Sequence, residues 1–310
     1  MQIIGLDLGG TKCTVIKGAD KGKPQQIARF PTTGPAETLE KIFAVVEKIN
    51  PGDSPVFGIS AGDPMDWKKG LLLGPPNMPG WDYVEIVREI TDRFGGEAYL
   101  MNDANAGALA EWRYGAAKGY SNVVFCTHGT GMGAGLILDG RLYEGTNGSA
   151  GEIGHTRLSP DGPVGYGKHG SFEGWCSGGG IARYAQARAK ELKGKVTFNP
   201  GKIEDITTKD VAEAAERGDK LAKEILAISG RYLGQGLGMI IDILNPEVIV
   251  LGSLYLRCGK FFEKTMREEL KKEALPQSLK NCKIVPMGLG EEIGNFAAIC
   301  VALYRKGLMH

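Results

Sequence analysis

Apolar and polar positions alternate along the chain in short runs whose period changes repeatedly. Residues 2–8, 13–17 and 27–30 are brief apolar runs separated by turn residues, the pattern of a meander of three strands. Between 35 and 50 the period switches, and Leu39, Ile42, Phe43, Val46 and Ile49 recur at helical spacing. A strand-like PVFGIS follows, then a helix predicted from about 83 to 94, a strand over 98–102, and a helix that opens at Asp103 and runs through ANAGALAEWRYG. The pattern restarts near Tyr120 with VVFCTHGTGMGAGLIL, two apolar runs about a glycine turn, which repeats the logic of the first residues. The polar, glycine-rich stretch from 140 to 180 carries no clear period. Helices are predicted at 180–192, 207–217 and 219–244, the last stopped by Asn245 and Pro246. PEVIVLGS reads as a buried strand ending in a loop, KIVPMG as another strand, and 291–304 as a closing helix. Strands alternate with helices in both halves, so the class is α/β. AAKGYS is the best boundary, giving a small N-terminal domain over 1–118, completed by the terminal helix of 291–310, and a larger domain over 119–290.

With 310 residues, either half can bury its own core. Lys and Arg number 37 against 36 Asp and Glu, a formal net charge of +1. That balance argues against a nucleic-acid or membrane-surface partner. The six cysteines stand singly, with no CxxC pair, as expected of buried thiols in a reducing cytosol. No apolar stretch reaches the ~18 residues of a spanning helix, and the N-terminus has no basic leader region. A soluble cytoplasmic protein is expected. Glycine is the outlier at 47 residues, about double an average usage of ~7%.

Four segments could carry chemistry. In LDLGGTK, Asp7 ends a strand and Gly9, Gly10, Thr11 and Lys12 form a turn before the β-branched CTVI, which favours a hairpin over the helix that a P-loop requires. Glycines in such a turn let backbone N–H groups approach an anion, and Asp7 could hold a water on Mg²⁺; the plain alternative is an ordinary tight turn. THGTGMGAG, containing Thr130 and Gly131, is a second such hairpin, and two of them suit a nucleotide held between similar domains. In NDANA, Asp103 sits where an N-cap would, and it reads either as a helix cap or as a general base for a sugar hydroxyl that Asn102 helps to orient. Glu152, His155 and Glu173 lie in the irregular stretch, where they suit hydrogen bonding to several sugar hydroxyls or simply face solvent.

Together LDLGGTK, PPNMPGW, NDANA, HGTGMGAG, AGEIGH, the following DGP and PEVIVLGS resemble the ROK family of repressors and sugar kinases, in the family order and over nearly the whole chain. The resemblance implies two ribonuclease-H-like domains of the actin-like ATPase class around a cleft, and MgATP-dependent phosphorylation of a hexose. It makes Asp103 the catalytic base, Asn77, Asn102, Glu152, His155 and Glu173 sugar contacts, Gly9 to Lys12 the first phosphate loop and Thr130 and Gly131 the second. It places Gly252 near the adenosine and suggests a homodimer. Family repressors carry a DNA-binding module before the first phosphate loop, and here that loop begins within ten residues of Met1, which favours an enzyme without a nucleic-acid partner. One departure is sharp. The family's zinc segment reads CxCGxxGCxE, whereas here Val164, Tyr166 and Ser171 stand at the cysteine positions, so no structural zinc is expected.

Overall fold

The structure is a computed structural model that describes residues 1–309. The first sheet opens with an antiparallel meander of β1 (Gln2–Leu8), β2 (Lys12–Ala19) and β3 (Gln25–Pro31). Helix α1 (Pro35–Ile49) leads to β4 (Val56–Ala61). A small ladder of β5 (Met65–Asp66) and β6 (Leu71–Leu72) precedes α2 (Ile86–Phe94) and β7 (Glu97–Asn102). Strands β4 and β7 add in parallel, giving the order β3-β2-β1-β4-β7. After α3 (Asp103–Tyr114) a second meander follows, of β8 (Val123–Cys126), β9 (Ala134–Leu138) and β10 (Arg141–Leu142). The hairpin β11 (Val164–Gly165) and β12 (Lys168–His169) comes next, then α4 (Phe172–Cys176), α5 (Gly178–Glu191), α6 (Thr208–Glu216), α7 (Lys220–Leu244), β13 (Val248–Leu251), α8 (Ser253–Glu273), α9 (Pro276–Asn281), β14 (Lys283–Pro286) and α10 (Ile293–Arg305). The second sheet runs β10-β9-β8-β13-β14, with β13 and β14 parallel to β8. It repeats the first sheet strand for strand, which is the duplicated ribonuclease-H-like plan.

Strands β4, β8 and β13 are buried at every position, as strands covered on both faces must be. On one face of the first sheet Ile4, Leu6, Phe57 and Ile59 pack with Ile42 and Val46 of α1; on the other, Ile3 and Ile16 meet Ala298 and Ile299 of α10. The second sheet packs Val124, Ile249 and Leu251 with Leu237 of α7 and Phe262 of α8, and turns Val123, Phe125 and Val250 toward Leu109 of α3 and Val301 of α10. Helices α3 and α10 therefore lie between the two sheets. Both approach their sheets at glycines: a Cβ on Gly58 of β4 would collide with the carbonyl oxygen of Ala298, and one on Gly135 of β9 would stand 2.6 Å from the Ala108 Cβ.

The structure differs from the sequence reading in a few places. The helix expected from 83 begins at Ile86, because Val84 is engaged in a bridge to Leu72, and the closing helix begins at Ile293 after a 3₁₀ turn over Gly290–Glu292. Helices α8 and α9 fill what read as loop after PEVIVLGS. The apolar positions of α8 recur at Leu254, Cys258, Phe262, Met266 and Leu270, but they are diluted by charged neighbours, and Gly252 supplies no side-chain cap. The stretch from 140 to 180 holds the β11–β12 hairpin and α4. Among the described residues no helix is long and apolar enough to cross a membrane.

The glycine contact has a measurable cost if filled. Gly58→Ala must push α10 off β4, and overpacking of this kind costs about 1–3 kcal/mol. Chemical denaturation should show a lower midpoint with an unchanged slope, and a wild-type midpoint would refute the close packing.

Candidate functional site

The first glycine turn is held from outside. The Gly9 amide donates to the Lys12 carbonyl at 3.0 Å, while Thr32 donates its hydroxyl to the Gly9 carbonyl at 2.6 Å and its amide to Thr11 at 3.2 Å. The turn is thus braced by its carbonyls. Gly10 faces Asn77 so closely that a Cβ there would clash with the Asn77 backbone. Asn77, expected among the sugar contacts, is therefore seated on the first glycine turn. Asp7, one strand position beside Ser60, lines a cavity of about 280 Å³ with Lys12, Thr14, Arg29 and Asp103. Burial pushes its carboxyl up to about 6, against the opposing pull of Arg29. Gly294, in the first turn of α10, packs against that carboxylate with no room for a side chain.

The second turn, between β8 and β9, is tied to two helix N-termini. Gly178 and Gly179, opening α5, donate to the carbonyls of Gly129 at 2.8 Å and Thr130 at 3.0 Å. Gly252 precedes α8 and lies against the Thr127 carbonyl, and the Leu254 amide donates to His128 at 2.8 Å. His128 is fully buried, with its Nε2 3.0 Å from the Cys176 carbonyl, and burial lowers its pKa to about 4, so it is a neutral donor that fixes the loop. A cavity of about 1050 Å³ opens beside this turn, walled by Thr130, Gly179, Thr208, Leu254 and Cys258 from α5, α6 and α8. It is more than large enough to admit a nucleoside.

A third cavity, about 350 Å³, gathers Asp63, Met132, Glu152, His155, Tyr166 and Glu173. Glu173 also accepts the Met132 amide at 3.1 Å, beside Gly131, and so joins this cavity to the second glycine turn. Burial raises the Glu152 carboxyl, with His155 opposing and Glu173 reinforcing the effect.

Asp103 stands between the acidic residues of the first and third of these environments, Asp7 on one side and Asp63 and Glu152 on the other, rather than where a cap would be. The cap of α3 is Asn102, whose Oδ1 accepts the amides of Ala104 at 2.8 Å and Asn105 at 3.2 Å; Asp103 is the first helical residue, and its carboxylate looks into the cleft. This corrects the reading of Asp103 as the cap. Asp103 keeps contact with solvent, and desolvation by the walls of the cleft, then the charges of Asp63 and Asp7, push its pKa up to about 7. Asn102 is largely committed to protein partners. Its acceptor is occupied by the cap and its Nδ2 donates to Asp63, leaving one N–H for a ligand.

Asp63 is the residue that sequence reasoning missed. It follows β4, faces Glu152, and is raised to about 6, mainly by burial and then by that neighbouring charge. Its only local signal is an acidic residue just beyond the carboxyl end of a central strand.

The segment aligned with a zinc loop has the wrong chemistry for the metal. Val164 pairs with His169 in the hairpin, Ser171 is buried and accepts the Gly174 amide as the cap of α4, and Tyr166 is exposed with its ring edge-on to His155. Among the described residues no group of three His, Cys, Asp or Glu is placed to hold a metal. Aromatic packing braces the loop: Phe172 is buried against Gly236, and Trp175 stacks on Tyr232 at 4.0 Å and donates to the Ser159 hydroxyl at 2.8 Å.

Known proteins share this plan. The glucokinase of Thermotoga maritima is 29% identical over 313 residues, covering 99% of both chains. The ROK hexokinase of Thermus thermophilus superposes with a TM-score of 0.83 at 27% identity, over 99% of both chains. A ROK family glucokinase from Streptomyces griseus, solved with glucose and AMPPNP, gives 0.79 at 28% identity over 98% of this chain and all of that one. The ROK family signature itself matches residues 3–304, and with both glycine turns, the Asn102–Asp103 junction and the carboxylate-lined cavity in place, the chain belongs to the ROK family.

Proposed function

We propose that the protein is an ATP-dependent hexose kinase, with glucose as its leading substrate. The observation that carries this is the position of Asp103, whose carboxylate has Asp63 and Glu152 as neighbours on the sugar side and Asp7 on the phosphate side. The family holds repressors as well as kinases; a repressor has no use for a base between a polyol cavity and two glycine turns.

In this reading Asn102, Glu152, His155 and Glu173 bind sugar hydroxyls, and Asp63 supplies the acceptor that Asn102 lacks. Asn77 joins the sugar end to the first turn. Gly9, Gly10, Thr11 and Lys12 face the β- and γ-phosphates from one lobe, Thr130 and Gly131 from the other, and Gly252 borders the adenosine. Asp103 takes the proton of the attacking hydroxyl as its oxygen forms the new bond to the γ-phosphorus; the bond from that phosphorus to the β,γ-bridging oxygen breaks, and ADP leaves. Asp7 fits Mg²⁺, which is commonly held by one or two carboxylates together with substrate phosphates and neutralises their charge. A coupled assay with ATP and a hexose panel tests the function: hexose-dependent ADP release is expected, and its absence across glucose, mannose, fructose, allose and N-acetylated amino sugars overturns the reading.

Two further outcomes follow from the residues. A general base must be ionised, so kcat/KM should rise with pH through about 7 as Asp103 loses its proton. Removing the neighbouring charge in Asp63→Asn stabilises the ionised form, so the rising limb should move to lower pH. Asp103→Asn should lose at least ~10² in kcat while still binding sugar, since Asn keeps the helix start polar. A pH profile unmoved by Asp63→Asn, or near-normal turnover in Asp103→Asn, defeats the assignment.

With Val164, Tyr166 and Ser171 in place of thiolates, the loop is held by packing without zinc. Elemental analysis should find well under one equivalent per chain, and chelator should leave the melting temperature unchanged; tightly held stoichiometric zinc contradicts this.

A further inference from the structure

Tyr166 stands at the tip of the β11–β12 hairpin, where Val164 pairs with His169 and Gly165 with Lys168, so Tyr166 and Gly167 are its two turn residues. Both have positive φ, 44° and 76°. Two-residue hairpins ask for that backbone and usually meet it with Asn-Gly or Gly-Gly, whereas a bulky aromatic residue there is strained. The ring is also 66% exposed, so core packing does not account for it. Strain kept at one position directs attention to what the side chain does there.

The ring separates two cavities. One is the cavity of about 350 Å³ that holds Asp63, Glu152 and Glu173; the other, of about 450 Å³, is walled by Arg157, Pro160, Asp161 and Lys168. Among the described residues only His155 and Tyr166 line both, and their rings meet edge to face with centroids 5.6 Å apart. This partition is held from behind. Lys168 donates to the His155 carbonyl at 2.6 Å, Arg157 donates to the His169 carbonyl at 2.6 Å, and Gly165 packs on the Gly174 amide with no room for a Cβ. Asn102, next to Asp103, bonds Asp63; Asp63 faces Glu152, and Glu152 faces His155. The two rings therefore close the end of the sugar cavity that lies away from Asp103.

We propose that Tyr166 is a specificity-determining wall of the sugar pocket, whose ring excludes hexoses that carry an N-acyl group at the end remote from Asp103. The inference rests on the kinase reading and deepens it. When the primary hydroxyl of a hexopyranose, on the arm at C5, lies at Asp103, C2 is directly across the sugar ring and faces His155 and Tyr166. A hydroxyl on C2 fits beside the imidazole, while an acetamido group there would have to pass through the tyrosine ring into the neighbouring cavity. A single methylene is worth about 10–200-fold in a fitted pocket, and an acetyl group is larger.

The test compares kcat/KM for glucose with that for N-acetylglucosamine and N-acetylmannosamine. The wild type should favour glucose by at least ~100-fold. Tyr166→Gly and Tyr166→Asn suit the turn better than tyrosine does, so both should fold and melt no lower than the wild type. Each joins the two cavities, and the preference for glucose should fall by at least ~10-fold, through faster use of the N-acyl sugars and a higher KM for glucose as its wall is lost. Tyr166→Phe keeps the ring and should keep the preference. The proposal is overturned by a wild type that uses either N-acyl sugar as well as glucose, by a preference unmoved in the Gly and Asn variants, or by one lost in Tyr166→Phe. Absence of hexose-dependent ADP release with every sugar sinks the kinase reading instead. The wall is then judged by calorimetry: Tyr166→Gly should bind N-acetylglucosamine at least ~10-fold more tightly than the wild type, and equal affinities overturn it.

Discussion

Two helices pressed directly onto strand backbone determine where everything else sits. Because Gly58 has no side chain, α10 can lie on β4 with the Ala298 carbonyl where a Cβ would be, and Gly135 admits α3 to β9 in the same manner. The close approach draws the two sheets toward each other with only these helices between them. Helix α3 begins at the carboxyl end of β7, so the same packing delivers Asp103 into the cleft, and α10 brings its first turn against Asp7. A bulkier residue at either strand position would move a carboxylate as well as a helix. In this fold the tolerance of the reaction geometry is set by packing one layer away from it.

The acidity of the cleft follows from that geometry. Asp7, Asp63, Asp103 and Glu152 line two neighbouring cavities and all have raised pKa values, first because the surrounding protein desolvates their charged forms. Arg29 opposes the effect at Asp7 and His155 at Glu152. The two substrates bring opposite demands to it. Phosphates need cations and amide donors, which the glycine turns, Lys12 and Arg29 offer, while a sugar needs acceptors for its hydroxyls. In the proposed reaction Asp103 sits on the boundary between the two kinds of surface, where the proton would change hands.

How much of this was legible in the sequence depends on how local each signal is. Both hairpins and the strand-to-helix junction at Asn102 are written in consecutive residues, and the alternation of periods was enough for an α/β chain with a repeated plan. The ordered motifs then pointed to the family. What failed was anything decided across distance. Asn102 rather than Asp103 caps α3, a choice between adjacent residues that rests on which side chain turns back to the amides. Asp63 matters through a partner 39 positions away. Helix α8 was hidden because its apolar stripe is one residue in four among Lys, Arg and Glu, and because its start has no cap to announce it.

The loop that presents Glu173 is braced by the Trp175–Tyr232 stack, the Trp175–Ser159 hydrogen bond and the Ser171 cap. None of these groups is a thiolate. The cysteine of α4, Cys176, is fully buried with its thiol directed at the Ser229 carbonyl, and burial holds it far from ionisation. Thiol oxidation needs a thiolate that solvent can reach, and Cys176 offers none. A loop braced by stacking and neutral hydrogen bonds keeps its contacts whether the thiols around it are reduced or oxidised.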